Sequence, residues 1–170
     1  MKSILIIFVL FFSSPLWAWW AERAGCRSQN FPSNPNVITY TSVDWVVGPQ
    51  AQAVLRQTTR LENASPNVLL GETQYEKFAF FTEKRKINPD QSIFAGLFGT
   101  PYYEGYALNS GTLYTDRGAA KMARVDVTFT KRYSDGEPHD ARVDIYVREN
   151  ANLPWTLSES YNDCHVTVVH

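Results

Sequence analysis

Two runs of strict alternation constrain this chain more than anything else in it. Val125, Val127 and Phe129 alternate with Arg124, Asp126, Thr128 and Thr130. Further on, Ala141, Val143, Ile145 and Val147 alternate with Arg142, Asp144, Tyr146 and Arg148. A period of two with apolar residues on one side specifies strands that are buried on one face and wet on the other. Between them lies Ser134-Asp135-Gly136-Glu137-Pro138, a stretch of turn formers in which glycine reaches positive φ freely and proline presets its own φ. The two strands therefore form an antiparallel hairpin. Asp126 and Asp144 fall on its wet face, where cross-strand ion pairs with Arg124, Arg142 and Arg148 account for them at a few tenths of a kcal/mol each.

The remaining segments are placed around that hairpin. Ser28 to Asn36 is irregular, and the β-branched and aromatic run Val37 to Val47 predicts a strand. Pro49 can open a helix that carries Ala51, Val54, Leu55, Thr58 and Leu61 on one side, with Gln50, Gln52, Arg56 and Arg60 outside. Val68 to Ile87 mixes periods, and we read it as a strand pair from the alternation of Phe78, Phe80 and Thr82. Asn88 to Pro101 has helix punctuation at both ends, with Asn88 as cap and Gly99 and Pro101 as stops around a stripe of Ile93, Phe94, Leu97 and Phe98. Tyr102 to Leu108 and Thr112 to Thr115 flank Asn109-Ser110-Gly111, which predicts a second hairpin. Trp155 to Ser160 and Cys164 to Val169 pair through Tyr161-Asn162-Asp163. The expected architecture is a single α+β domain, residues 19–170, with one antiparallel sheet of five to seven strands packed on one or two helices.

The first eighteen residues have the design of a secretory signal peptide: Lys2, an apolar run Ile4 to Phe12, then Ser13-Ser14-Pro15 and a cleavage site after Ala18. The run is shorter than the roughly 20 apolar residues that span a bilayer. Ala24-Gly25-Cys26 does not make a lipoprotein box, because Arg23 stands where an aliphatic residue belongs. The chain is expected to be secreted or periplasmic, with no stable membrane anchor after processing. Cys26 and Cys164 are its only cysteines, and in such a chain they read as one disulfide. Closing so long a loop stabilises a fold by about 4–5 kcal/mol in the chain-entropy account.

The segment VDVTFT, the Asp135-Gly136 loop, ARVDIYV and then Trp155-Thr156-Leu157 resembles the C-terminal part of small secreted NTF2-like, or cystatin-like, α+β domains. Two long alternating strands joined by a polar loop precede a Trp-containing strand there as well. The similarity covers about a third of the mature chain. It implies a curved sheet wrapped against helices, with a cavity between them, in a family that includes enzymes and non-enzymes alike.

Sixteen basic residues against seventeen acidic ones leave no clustered positive face for nucleic acid. The short run Glu83-Lys84-Arg85-Lys86 reads as solvated surface. No metal-ligand spacing and no glycine-rich phosphate loop is present, so neither metal nor cofactor is expected. His139-Asp140 is the sole His–acid neighbourhood in the chain, and adjacent residues entering a strand diverge. The richest candidate for recognition is Tyr102, Tyr103, Tyr106 and Tyr114, interleaved with Gly105, Asn109, Ser110 and Gly111, a mixture of large rings and small residues that binding surfaces use. These features lead us to expect an exported, non-enzymatic binding module, inhibitor- or immunity-like, whose partner is another protein or a small apolar ligand. The rival expectation is a cofactor-free hydrolase or isomerase with an NTF2-like cavity, using Asp116, His139 or Asp140 as acid or base.

Overall fold

The computed structural model describes residues 21–28, 37–46, 53–61, 75–91, 102–115, 120–134 and 136–169. Nine strands run through them: β1 (Ala21–Ser28), β2 (Val37–Val46), β3 (Ala53–Leu61), β4 (Tyr75–Phe81), β5 (Glu83–Ile87), β6 (Gly105–Thr115), β7 (Lys121–Arg132), β8 (Pro138–Arg148) and β9 (Thr156–Val169). Every pairing is antiparallel, and the sheet returns on itself because β9 pairs with β1 and β4 pairs with β6. Eight strands thus make a closed up-and-down barrel. The extra strand β5 continues the line of β4 along β6: β4 faces Thr112 to Thr115, and β5 faces Gly105 to Asn109. Closure removes the exposed edges that an open sheet of this length would present.

The alternation that defines β7 and β8 is obeyed. Val125, Val127 and Val143 are fully buried, and Ile145 is nearly so. Their oily face looks across the barrel at Val43, Leu55 and Ala79 rather than at a layer of helices. Small residues at Ala24, Ala53, Ala79, Ala123 and Ala141 make room for Trp45, Phe81 and Tyr106, as the taper of a small barrel requires. Gly111 is one such position. A Cβ there would stand 2.4 Å from the Phe81 ring, so that ring occupies the space over the glycine. Along β7 and β8 the outward face carries the charges. Arg124 bonds Asp126 and Arg142 bonds Asp144 along their own strands, not across them; across the ladder Asp126 faces Asp144. Each arginine therefore screens a carboxylate that would otherwise meet a like charge.

The α+β architecture is overturned. No helix lies among the described residues, and the resemblance to NTF2-like domains fails with it, because the sheet closes on itself and leaves no sheet–helix cavity. The segment expected as a helix after Pro49 is strand β3 from Ala53 onward, with Ala53, Leu55, Gln57 and Thr59 inside and Arg56 exposed. Its β-branched Val54, Thr58 and Thr59 favour the pleated form. Most of the helix expected over Asn88 to Pro101 lies outside the described residues. At its start Asn88 has φ 45° and the Asp90 amide donates to the Tyr102 carbonyl at 2.7 Å, so the chain closes back towards β6.

Neither Asn109-Ser110-Gly111 nor Tyr161-Asn162-Asp163 reverses the chain. Both are β-bulges inside one long strand. Leu108 pairs with Val125 and Gly111 with Ala123, so three steps on β6 oppose two on β7. Cys164 pairs with Ala141 and Tyr161 with Val143, giving the same mismatch. Ser110 and Asp163 each take φ 57°, the left-handed conformation that turns and bulges share. The loop expected at Gly136 does reverse the chain, with Gly136 at φ 91° and its amide bonded to the Tyr133 carbonyl at 3.0 Å. Cys26 and Cys164 are bonded, 138 residues apart in sequence, and the bond lies across the β1–β9 seam where the barrel shuts. A disulfide is compatible with an extracellular location.

Candidate functional site

The four tyrosines singled out in the sequence are divided between two places. Tyr106 points into the barrel and is buried, while Tyr103 and Tyr102 lie just before β6 at the same end. The Tyr106 hydroxyl donates to the Tyr103 hydroxyl at 2.9 Å. Trp45, Tyr103, Tyr106 and Phe129 pack ring on ring, with centroids 5.0 to 6.4 Å apart. Cations cover this group. The Lys84 ammonium stands 5.0 Å from the Tyr106 ring, Lys86 4.6 Å from Tyr103, and the Arg132 guanidinium 4.8 Å from exposed Tyr102 and 5.1 Å from Phe129. The Glu83–Lys86 run is thus a lid of lysine stems over rings rather than plain solvated surface. Burial raises the Tyr103 and Tyr106 phenols and lowers the Lys84 ammonium. Among the described residues this end is filled by an aromatic plug.

Tyr114 lies elsewhere. It stands on the outer wall, 42% exposed, stacked on Phe78 with centroids 5.1 Å apart and planes at 21°. Phe78 in turn meets Phe80 edge-on at 5.8 Å, and Phe80 is 57% exposed. Phe78 therefore joins Phe80 and Tyr114 into one exposed row of rings, with the β4–β6 register setting Phe78 against Tyr114. Beside them the outer wall of β1 to β4 is hollowed into a concavity of about 470 Å³, lined among others by Arg27, Tyr40, Arg56, Arg60 and Glu76. Arg56 is the cross-strand neighbour of Phe78, so the rings and the basic hollow form one continuous surface. Gly25 is part of the hollow's lining, and a Cβ there would meet only the His165 carbonyl oxygen at 4.0 Å.

Phe78 and Phe80 were not named as recognition residues from the sequence, although a signal was present. They share the phase of Glu76 on β4, so the wet face of that strand carries the rings. Of the groups offered for acid–base chemistry, Asp116 lies outside the described residues. His139 and Asp140 come together at 2.6 Å on the outer wall. The chain matches no protein-family model, no curated protein and no solved structure.

Proposed function

We propose that this protein is an exported, non-enzymatic binding module that engages another protein through the outer wall of its barrel. The contact surface runs from Tyr114, Phe78 and Phe80 into the arginine-lined hollow beside them. The observation that carries this reading is the stacked ring cluster itself. A chain with a closed barrel to fill has left Phe80 and Tyr114 exposed on either side of Phe78, each packed against it, and contiguous exposed apolar patches mark interaction sites. Aromatic residues beside arginine are also the composition in which interface energy concentrates. The fitting partner offers an apolar projection to the rings and carboxylates to Arg56 and Arg60. Tyr102 extends the same chemistry at the barrel rim, whereas Tyr103 and Tyr106 support it from within. Export rests on the Met1–Ala18 segment, with a mature chain beginning at Trp19.

The test is affinity capture from secreted and envelope extracts with the wild type and with a Phe80→Thr/Tyr114→Thr variant, threonine being kept for its strand propensity. Capture of a specific protein should fall by about 2 kcal/mol of binding, roughly thirtyfold, while the melting temperature stays put. Gly25→Leu fills the hollow without touching the rings and separates the two halves of the surface. Undiminished capture by the double variant removes the proposal.

A further inference from the structure

The outer wall holds a second group of side chains that the aromatic surface does not use. Asp140 at the start of β8 and His165 on β9 are register partners, so they share a face of the ladder. In a regular strand His139 would point to the other side. Here β7 changes register twice opposite this point, between Phe129 and Lys131 and between Lys131 and Arg132, and bulges re-aim side chains in this way. His139 Nδ1 lies 2.6 Å from Asp140 Oδ1, and His165 Nδ1 lies 3.7 Å from the same oxygen. One donor atom from each of the three residues falls within 4.8 Å of the others. Lys131 holds the second carboxylate oxygen, Oδ2, at 2.9 Å, which leaves Oδ1 turned towards the imidazoles. Tyr133 backs the His139 ring edge-on at 4.6 Å.

We propose that His139, Asp140 and His165 form a binding site for a divalent transition-metal ion of borderline softness, such as Zn²⁺. Two imidazoles and a single carboxylate suit such an ion and not Ca²⁺ or Mg²⁺, which take nearly all-oxygen shells. Tetrahedral bonds of about 2.1 Å set donors roughly 3.4 Å apart, so the widest gap must close by roughly 1.4 Å. His165, with its side chain 54% exposed, is free to make that adjustment by rotating about its own χ angles. Coordination would tie β8 to β9 next to Cys164, on the strand pair adjoining the β1–β9 seam that the disulfide holds. Three protein donors leave a fourth position for water or for a group supplied by a partner.

The test is calorimetric titration of the untagged, disulfide-intact protein with ZnCl₂, alongside His139→Ala, His165→Ala and a MgCl₂ control, with melting curves for each. One saturable equivalent of Zn²⁺ should bind and raise the melting temperature of the wild type, and Mg²⁺ should do neither. Each histidine substitution should weaken binding by more than about tenfold, the lower bound set by losses from outer-shell partners. Both substitutions lie on the outer wall, so unchanged melting of the metal-free variants shows that the fold survives. Equal affinity in wild type and variants, or no saturable event at all, overturns the proposal.

Discussion

The two ends of the barrel each bury a glutamate, and they treat it in opposite ways. Glu22 sits at the plugged end and takes a hydrogen bond from the Trp45 indole at 2.8 Å. Burial raises its carboxyl above the ordinary range, only partly offset by that bond and by the Lys84 and Arg132 charges, with Glu137 adding to the rise. Glu159 sits among Thr41, Gln57 and Tyr161 at the other end. Burial would raise it too, but bonds from Lys77 at 2.8 Å, Tyr161 and Gln57 at 2.7 Å outweigh that and hold it below the ordinary range. Two carboxylates turned into the barrel, Glu22 the more deeply buried, thus diverge chiefly by their donors: one stays reluctant to ionise, the other is a satisfied anion. What a barrel interior makes of a charge depends on whether neighbouring strands aim donors at it.

The largest expected effect comes from breaking the satisfied end. Lys77→Met takes away the full positive charge paired with Glu159 and should destabilise the protein by about 2–3 kcal/mol at pH 7, below the range for fully buried pairs because both side chains are partly exposed. The sign with pH follows from the lowered carboxyl. A group depressed in the folded state contributes stability that is present above its unfolded pKa of about 4.5 and is lost as pH falls through the folded value. The gap between wild type and variant should therefore close on acidification. Urea unfolding at pH 7 and pH 4 reads it directly, and a gap independent of pH would mean that packing, not charge, holds this end.

Lys77 also explains where the sequence stopped being legible. On β7 and β8 the period of two was readable because apolar residues point in and charges out. On β4 both faces carry apolar residues: Lys77 points in to Glu159, 82 residues away, beside buried Ala79 and Phe81, while Phe78 and Phe80 point out. The alternation of Phe78, Phe80 and Thr82 marked a strand, but nothing local says which of its two apolar phases faces the core. The turn signals misled for a related reason. Ser110 and Asp163 satisfy the same left-handed geometry in a bulge as in a hairpin, and only the register beyond them tells which it is. Alternation, moreover, requires that one face be covered without saying by what, and here the cover is the far wall of the same sheet. The disulfide and the central hairpin were readable because each rests on a single unambiguous signal. The ring cluster and the His139–Asp140–His165 group were not, since cross-strand register assembles both.

A middle-sized effect isolates one donor. Tyr161→Phe keeps the buried ring and removes the hydroxyl that bonds Glu159. The loss should be about 1–2 kcal/mol, the worth of a hydrogen bond to a charged group, and it should follow the same pH trend as Lys77→Met with a smaller amplitude. Because both variants act on one carboxylate, the double variant should lose less than the sum, and strict additivity in chemical denaturation would show that the two donors serve separate purposes.

The smallest effect should carry the opposite sign. Glu22→Gln keeps an oxygen for the Trp45 N–H and removes a charge that burial disfavours, so at pH 7 it should be neutral or stabilising by about 0.5–1 kcal/mol. Its pH dependence runs contrary to that of the other end. A carboxyl raised in the folded state favours folding below its unfolded pKa of about 4.5, and that contribution is lost as pH rises through the folded value. Below that pH the wild type and the variant should unfold together; above it the variant should draw ahead. A variant less stable than wild type at pH 7 would mean that Lys84 and Arg132 fully compensate Glu22, and the two ends would then differ only in the identity of their donors.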